Sequence, residues 1–240
     1  MIIVGTARNI SRFWSNTRKS IQIIFDSLPD YKCFIIESNS SDDTLQLLNN
    51  WALEDSRRTI VSLGWVQEIS RPRRIGICRN KYMELIEPYF STFSYTIMID
   101  LDDILNVDMN FKEQLQTCFT RSDWDGLASN RRGKYYDIWA LRSNFLGIDY
   151  DCWDKVSKNP TLTLTTSGFR RIDGIQTYVY AHQRHFPTNL QWIPVESAFG
   201  GLAIYKNSAI KGRRYNGYTC EHVSFNQGLK MFINPQLISG

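Results

Sequence analysis

The chain reads as an α/β protein with a mainly parallel central sheet flanked by helices, and three observations point there. Apolar runs recur at residues 1–4, 33–36 and 95–99, short and partly β-branched, as suits strands buried on both faces. Each of the first two is followed by a polar turn and then by apolar residues at steps of three and four, the pattern of a helix packed on a sheet. The third run ends abruptly in carboxylates, Asp100, Asp102 and Asp103.

Taken in order, residues 1–4 form the first strand, closed by Gly5, Thr6, Ala7 and Arg8 as a ligand-facing loop. A helix follows from about Ser11, with Phe13, Thr17, Ile21, Ile24 and Leu28 on one stripe, until Pro29 and Asp30 end it. The second strand, 33–36, opens into ESNSSDDT (37–44), whose Ser41 or Asp42 is the expected N-cap of a helix carrying Leu45, Leu48 and Trp51. A third strand lies within 59–63. Beyond Pro72 a helix covers about 74–89 on a stripe of Ile75, Cys78, Tyr82, Leu85 and Tyr89, with Arg79 and Asn80 at its border.

After the acidic strand, 111–119 reads as a short helix and 124–130 as a strand. Residues 131–142 combine a basic turn with an aromatic strand, 143–168 form an insertion over one face, and 172–185 read as helical. Strands are expected at 190–195 and 199–205, the latter holding Gly200 and Gly201, and glycines inside a strand pattern mark a bulge or a close backbone approach. A last strand near 231–234 stops at Pro235.

In such sheets ligands sit at the carboxyl ends of the strands, where Thr6 to Arg8, Glu37 to Asn39 and Asp100 to Asp103 converge. Alternation along the strand turns Asp100 and Asp102 to one side and Asp103 to the other. Paired carboxylates suit a hard divalent cation that also holds phosphate. No GxGxxG follows the first strand and no GxxxxGK[ST] occurs, which removes the main support for dinucleotide and P-loop sites.

The 240 residues suffice for one sizeable domain, with a mildly positive net charge of +4. Arginines cluster at 71, 73 and 74, with further basic groups at 131–134, 170–171 and 211–214, which favours anionic ligands. They are not interleaved with aromatics along one element, so no nucleic-acid partner is expected. The five cysteines show no CxxC or zinc spacing and read as reduced thiols. With no apolar run of about 18 residues and no signal sequence, a cytoplasmic protein is expected, with peripheral membrane association at most. His182 and His185 lack a carboxylate at helical spacing to complete a zinc site.

Four stretches, in order along nearly the whole chain, resemble the nucleotide-diphospho-sugar transferase fold known as GT-A. These are the opening strand and loop, ESNSSDDT (37–44), IMIDLDD (97–103), and FGGLAIYK (199–206) followed by CEHVSFN (220–226). They are similar to glycosyltransferases of family 2, and KYYDIWALR (134–142) with the later EHV is reminiscent of the capsule-associated mannosyltransferases, family 69. The resemblance implies one GT-A domain over 1–240, with a nucleotide-sugar half at 1–105 and an acceptor half at 106–240 interrupted by an insertion about 143–170. It implies a metal-dependent transferase moving a sugar from a nucleoside diphosphate to a glycan hydroxyl. Asp102 would then hold Mn²⁺ or Mg²⁺, assisted by Asp100, Asp103 and His222. Thr6, Ala7, Arg8, Glu37, Asn39, Arg79 and Asp100 would border the nucleotide; Gly200, Gly201 and Tyr135 would meet substrate. Glu221 falls where inverting members carry their catalytic carboxylate, and His222 stands where many relatives have Asp, leaving the division of labour between the two open. The rivals are a nucleotidyltransferase of related fold, for which the segment after the first strand is a poor match, and a non-catalytic carbohydrate-binding module, against which the intact acidic cluster argues.

Overall fold

The structure is a computed structural model that describes residues 1–66, 70–159, 161–165 and 169–240. The elements in chain order are β1 (Ile2–Ala7), α1 (Trp14–Asp26), β2 (Lys32–Glu37), α2 (Thr44–Leu53), β3 (Arg58–Ser62), α3 (Arg71–Ile86), β4 (Tyr95–Asp100), α4 (Phe111–Thr117) and β5 (Gly126–Asn130). The second half adds α5 (Cys152–Lys158), β6 (Thr161–Thr165), β7 (Phe169–Asp173), α6 (Gly174–Tyr178), β8 (Ile193–Val195), β9 (Leu202–Lys206), α7 (Asn207–Ile210), α8 (Glu221–Asn226) and β10 (Met231–Ile238).

Eight strands form one sheet in the order β3-β2-β1-β4-β9-β5-β10-β8, and β6 pairs with β7 in a separate hairpin. The strands β3, β2, β1 and β4 run parallel, as the buried β-branched runs require. The chain builds outward from β1 to β2 and β3 on one side and to β4 on the other, so the β1/β4 junction is a topological switch point where a crevice opens. Thr6 lies opposite Asp100 in that junction. Strand β9 enters antiparallel between β4 and β5, pairing Leu202 with Ile99. Its beginning therefore lies at the carboxyl end of β4, and Gly201 O accepts from Asp100 N at 2.9 Å.

Alternation divides the core. Ile2, Val4 and Met98 pack on one face with Cys78, Tyr82 and Ile86 of α3; Ile3, Ile97 and Ile99 pack on the other with Trp14, Ile21, Ile24 and Phe25 of α1. Strand β1 continues through Gly5, where a Cβ would stand 3.0 Å from Leu101 Cδ1 and 3.1 Å from Ile99 O. A side chain there would press on both, so glycine suits the close approach of β1 and the end of β4.

Several expectations change. The aromatic strand within 131–142 is absent: only isolated bridges, Lys134 to His185 and Arg142 to Ser197, form there, because Asp137 accepts from Ala140 N and turns the chain. The helix expected over 172–185 contracts to α6 and a turn at Tyr180–His182, with β7 at its start. Strand β10 runs past Pro235 to Ile238, the proline lying where the pairing with β5 shifts register, so its missing N–H breaks no regular ladder. Helix α3 starts earlier than expected, at Arg71, with Pro72 in its first turn. All five cysteines are buried free thiols. Among the described residues no helix is long and apolar enough to cross a membrane.

Candidate active site

Two polar loops frame the switch point and are laced together. Asn9 and Asn39 both adopt positive φ, 52° and 51°. Asn9 N donates to Ser40 Oγ, Ser41 N donates to Asn9 Oδ1, and Ile10 N donates to Thr44 Oγ1 at 2.8 Å. Asp42 receives Ser11 N and Thr44 N, which joins the turn after β1 to the start of α2. This bracing holds Thr6, Ala7 and Arg8 against a cavity of about 460 Å³, also lined by Ser38, Arg79, Asp100, Asp102, Glu221 and His222.

Asp100 and Asp102 thus reach one cavity, as alternation dictates, while Leu101 between them is buried in the opposite core. Asp103 turns away: it is exposed and faces a separate cleft with Phe13, Asn16 and Lys19. Asp102 is pinned by Ile104 N donating to its Oδ1 at 3.1 Å and by Thr17 Oγ1 donating to its carbonyl.

Arg79 organises the floor. It is 3 % exposed and projects from α3 between two carboxylates, Nη2 standing 3.2 Å from Asp100 Oδ1 and Nε 3.2 Å from Glu221 Oε1. Its Nη1 donates to Tyr82 Oη at 3.1 Å, and its guanidinium carbon lies over the rings of Phe199 and Tyr215 at 5.1 and 5.6 Å. A guanidinium is tolerated at such depth only because it is paired on both sides and stacked on aromatic faces.

The acids outnumber this cation. Burial pushes the Asp100 carboxyl up to about 7 against the pull of Arg79, and Asp102, Asp137 and Glu221 add repulsion. Asp102 is raised as well, chiefly by burial and less by Asp103, with the Ile104 amide opposing. Asp137 is raised by burial, offset by amides of Gly200 and Ala140.

His222 stacks on Phe199 with ring centroids 3.8 Å apart and meets Tyr215 edge-on. Both ring nitrogens are buried without a hydrogen-bond partner. Burial, then Arg79, lowers its basicity well below the ordinary histidine value, so the imidazole is neutral at pH 7.

Other sequence candidates fall elsewhere. Glu37 does not line the cavity: Ser40 N donates to its Oε1 at 2.6 Å and Ser62 Oγ to its Oε2, so both oxygens hold the loop. Asn39 is likewise a turn residue with left-handed backbone, outside the lining. Gly200 and Gly201 form the turn before β9 at φ 73° and 90°; Cβ atoms there would stand 2.5 Å from Ser129 O and 2.9 Å from Ile104 Cγ2. They permit close backbone packing behind the cavity. Tyr135 is wholly buried, its hydroxyl accepting from Phe199 N, and offers no face to a sugar.

In its place the cavity receives Tyr136, Asp137 and Trp139, together with Arg71 and Arg74 at the start of α3. Trp139 lines the cavity while its Nε1 donates to Asp151 Oδ2 at 3.0 Å. Asp137 was missed by sequence reasoning, although a carboxylate set inside an aromatic segment is a signal that something holds it.

Among the described residues no group of three or more His, Cys, Asp or Glu side chains is gathered to hold a metal by itself. Asp100 and Asp102 nevertheless suit Mg²⁺ or Mn²⁺ of the kind that takes one or two carboxylates and completes its shell with substrate phosphate and water.

No family model matches the sequence, and no curated protein matches it. Solved structures match the fold. The mannosyltransferase PcManGT from Pyrobaculum calidifontis, determined in complex with GDP-Man and Mn²⁺, superposes with a TM-score of 0.57 over 99% of this chain and 55% of its own, at 11% identity. Residues 1–349 of S. aureus TarS in complex with UDP-GlcNAc superpose with a TM-score of 0.51 over 97% of this chain and 55% of theirs, again at 11% identity. The chain therefore spans a little over half the length of these neighbours, and shares with them the GT-A glycosyltransferase fold.

Proposed function

We propose that the chain transfers a hexosyl group from a nucleoside diphosphate sugar to a hydroxyl of a glycan or similar acceptor, and that residues 1–240 act as one catalytic unit. The observation that carries this reading is the meeting of Asp100 and Asp102 with Thr6, Ala7 and Arg8 in one cavity at the β1/β4 switch point. Arg71 and Arg74 line the same cavity, so anionic phosphate meets positive charge beside the carboxylates. Fold neighbours that hold GDP-Man and UDP-GlcNAc support the donor class.

In this reading Thr6, Ala7, Arg8 and Ser38 wall the nucleoside. Asp102, backed by Asp100, would hold Mn²⁺ or Mg²⁺, which would supply positive charge beside a departing diphosphate. Arg79 opposes protonation of Asp100 and orients its carboxyl group. Tyr136 and Trp139 border the sugar side, and the neutral His222, with two unpartnered nitrogens, is available to a sugar hydroxyl.

The test is thermal stabilisation by UDP-, GDP- and dTDP-sugars with and without Mn²⁺. A midpoint rise that requires both nucleotide and metal is expected; a ligand at 100 times its dissociation constant contributes about 2.7 kcal/mol. Stabilisation by an oligonucleotide alone, with none from any donor, would overturn the reading.

A further inference from the structure

The cavity holds three acids beyond the cation pair's first member, and their surroundings differ. Glu221 faces the Arg79 guanidinium at 3.2 Å, so its carboxylate is already engaged in a buried ion pair. The imidazole of His222 lies flat on Phe199 in a site that resists positive charge, so it accepts a proton poorly. Asp102 sits where the diphosphate is read to bind.

Asp137 has none of these handicaps. Its Oδ2 accepts from Gly200 N at 3.1 Å and its Oδ1 from Ala140 N at 3.3 Å, long single bonds from neutral amides. Among the described residues it makes no ion pair, and it lines the cavity beside Tyr136 and Trp139. The two amides come from different parts of the chain, the 131–142 turn and the diglycine turn before β9, so the carboxylate is positioned by the fold and not by its own helix or strand.

From this geometry we infer that Asp137 is the general base of the transfer, a catalytic residue distinct from Glu221. The inference rests on the glycosyltransferase reading above. The acceptor oxygen attacks the anomeric carbon as its O–H proton passes to the Asp137 carboxylate; the bond from the anomeric carbon to the diphosphate oxygen breaks, and its electron pair leaves with the nucleoside diphosphate. Burial, with the negative charge of Glu221 opposed by Arg79, raises the affinity of Asp137 for that proton. Glu221 is then a positioning residue that holds Arg79.

Release of GDP from GDP-mannose and of UDP from UDP-GlcNAc to water, with Mn²⁺, measures the step without an identified acceptor. Asp137→Asn is expected to lower kcat by about 10²- to 10⁴-fold while leaving the metal-dependent thermal shift by GDP or UDP at its wild-type size, and Asp137→Glu to recover part of the loss. Nucleotide release that persists in Asp137→Asn overturns the assignment alone, as does loss of the thermal shift in a variant with wild-type circular dichroism, which would make Asp137 a donor ligand. Should Asp137→Asn misfold, Asp137→Ser, which leaves both amides open to water, is read by the same criteria. A wild-type protein that releases nucleotide from neither donor removes the transfer reading itself, and this inference with it.

Discussion

At the scale of single residues, Arg79 carries more of the site than its place in the sequence suggests. Replacing it with Met leaves Asp100 and Glu221 facing each other in the interior without their shared cation. Removing one member of a buried ion pair costs about 3–5 kcal/mol, and a fall in Tm on the order of 10 °C by scanning calorimetry at pH 7 is expected. Asp102→Ala, by contrast, removes a largely desolvated charge. It should abolish metal-dependent donor stabilisation while leaving the ligand-free midpoint within a few degrees of wild type.

Asp100 also sets a pH dependence. Its carboxyl titrates near 7 in the folded chain, above the ordinary value of 3.8. The folded state therefore holds a proton that the unfolded chain gives up between these values. The stability this contributes is fully present below about pH 4 and is lost as pH rises through about 7. His222 works in the opposite direction, but does so equally in wild type and in Asp100→Asn. In metal-free protein the midpoint of wild type should accordingly fall relative to Asp100→Asn between pH 5 and 8; a constant difference would contradict the buried, crowded carboxylate described here.

At the scale of elements, the parallel half of the sheet was legible because its strands are buried on both faces and need only apolar, β-branched runs ending in turn residues. Tyr95–Asp100 and its carboxylates are the clearest instance. The segment 131–142 was not legible, since its aromatic run imitates a strand while Tyr135 and Asp137 are held by Phe199 and Gly200, about sixty residues downstream. Glu37 misled for a related reason: nothing local says that both its oxygens are taken by Ser40 and Ser62. Gly200 and Gly201 were expected to mark a bulge or close approach, and the close approach is what they provide. Gly200→Ala combines a left-handed backbone with a Cβ 2.5 Å from Ser129 O. A loss of about 2–3 kcal/mol is expected by chemical denaturation, together with weaker donor binding, because the same turn supplies an amide to Asp137 and a carbonyl to Asp100.

At the scale of the whole molecule, the order of the strands converts distant stretches into one cavity. One wall of the cavity comes from the first hundred residues, close to the carboxyl ends of β1, β2 and β4, and its position follows from the switch-point rule. The facing wall is assembled from 136–140 and 199–222, whose meeting depends on β9 entering antiparallel between β4 and β5. Sequence order and motif spacing pointed to Glu221 and His222, yet their buried state, the pairing of one and the orphaned nitrogens of the other belong to packing.

The double grip of Arg79 makes the two sides of the cavity answer to each other. Whatever neutralises Asp100 frees the guanidinium to lean on Glu221, and removing the Glu221 charge throws the full guanidinium field onto Asp100, where it competes with an incoming cation. Glu221→Gln should therefore weaken Mn²⁺-dependent nucleotide binding several-fold by isothermal calorimetry, although Glu221 is assigned no contact with the metal. By reciprocity a ligand bound at Asp100 alters the field at the far wall, so that wall is biased by the first occupant before a second arrives.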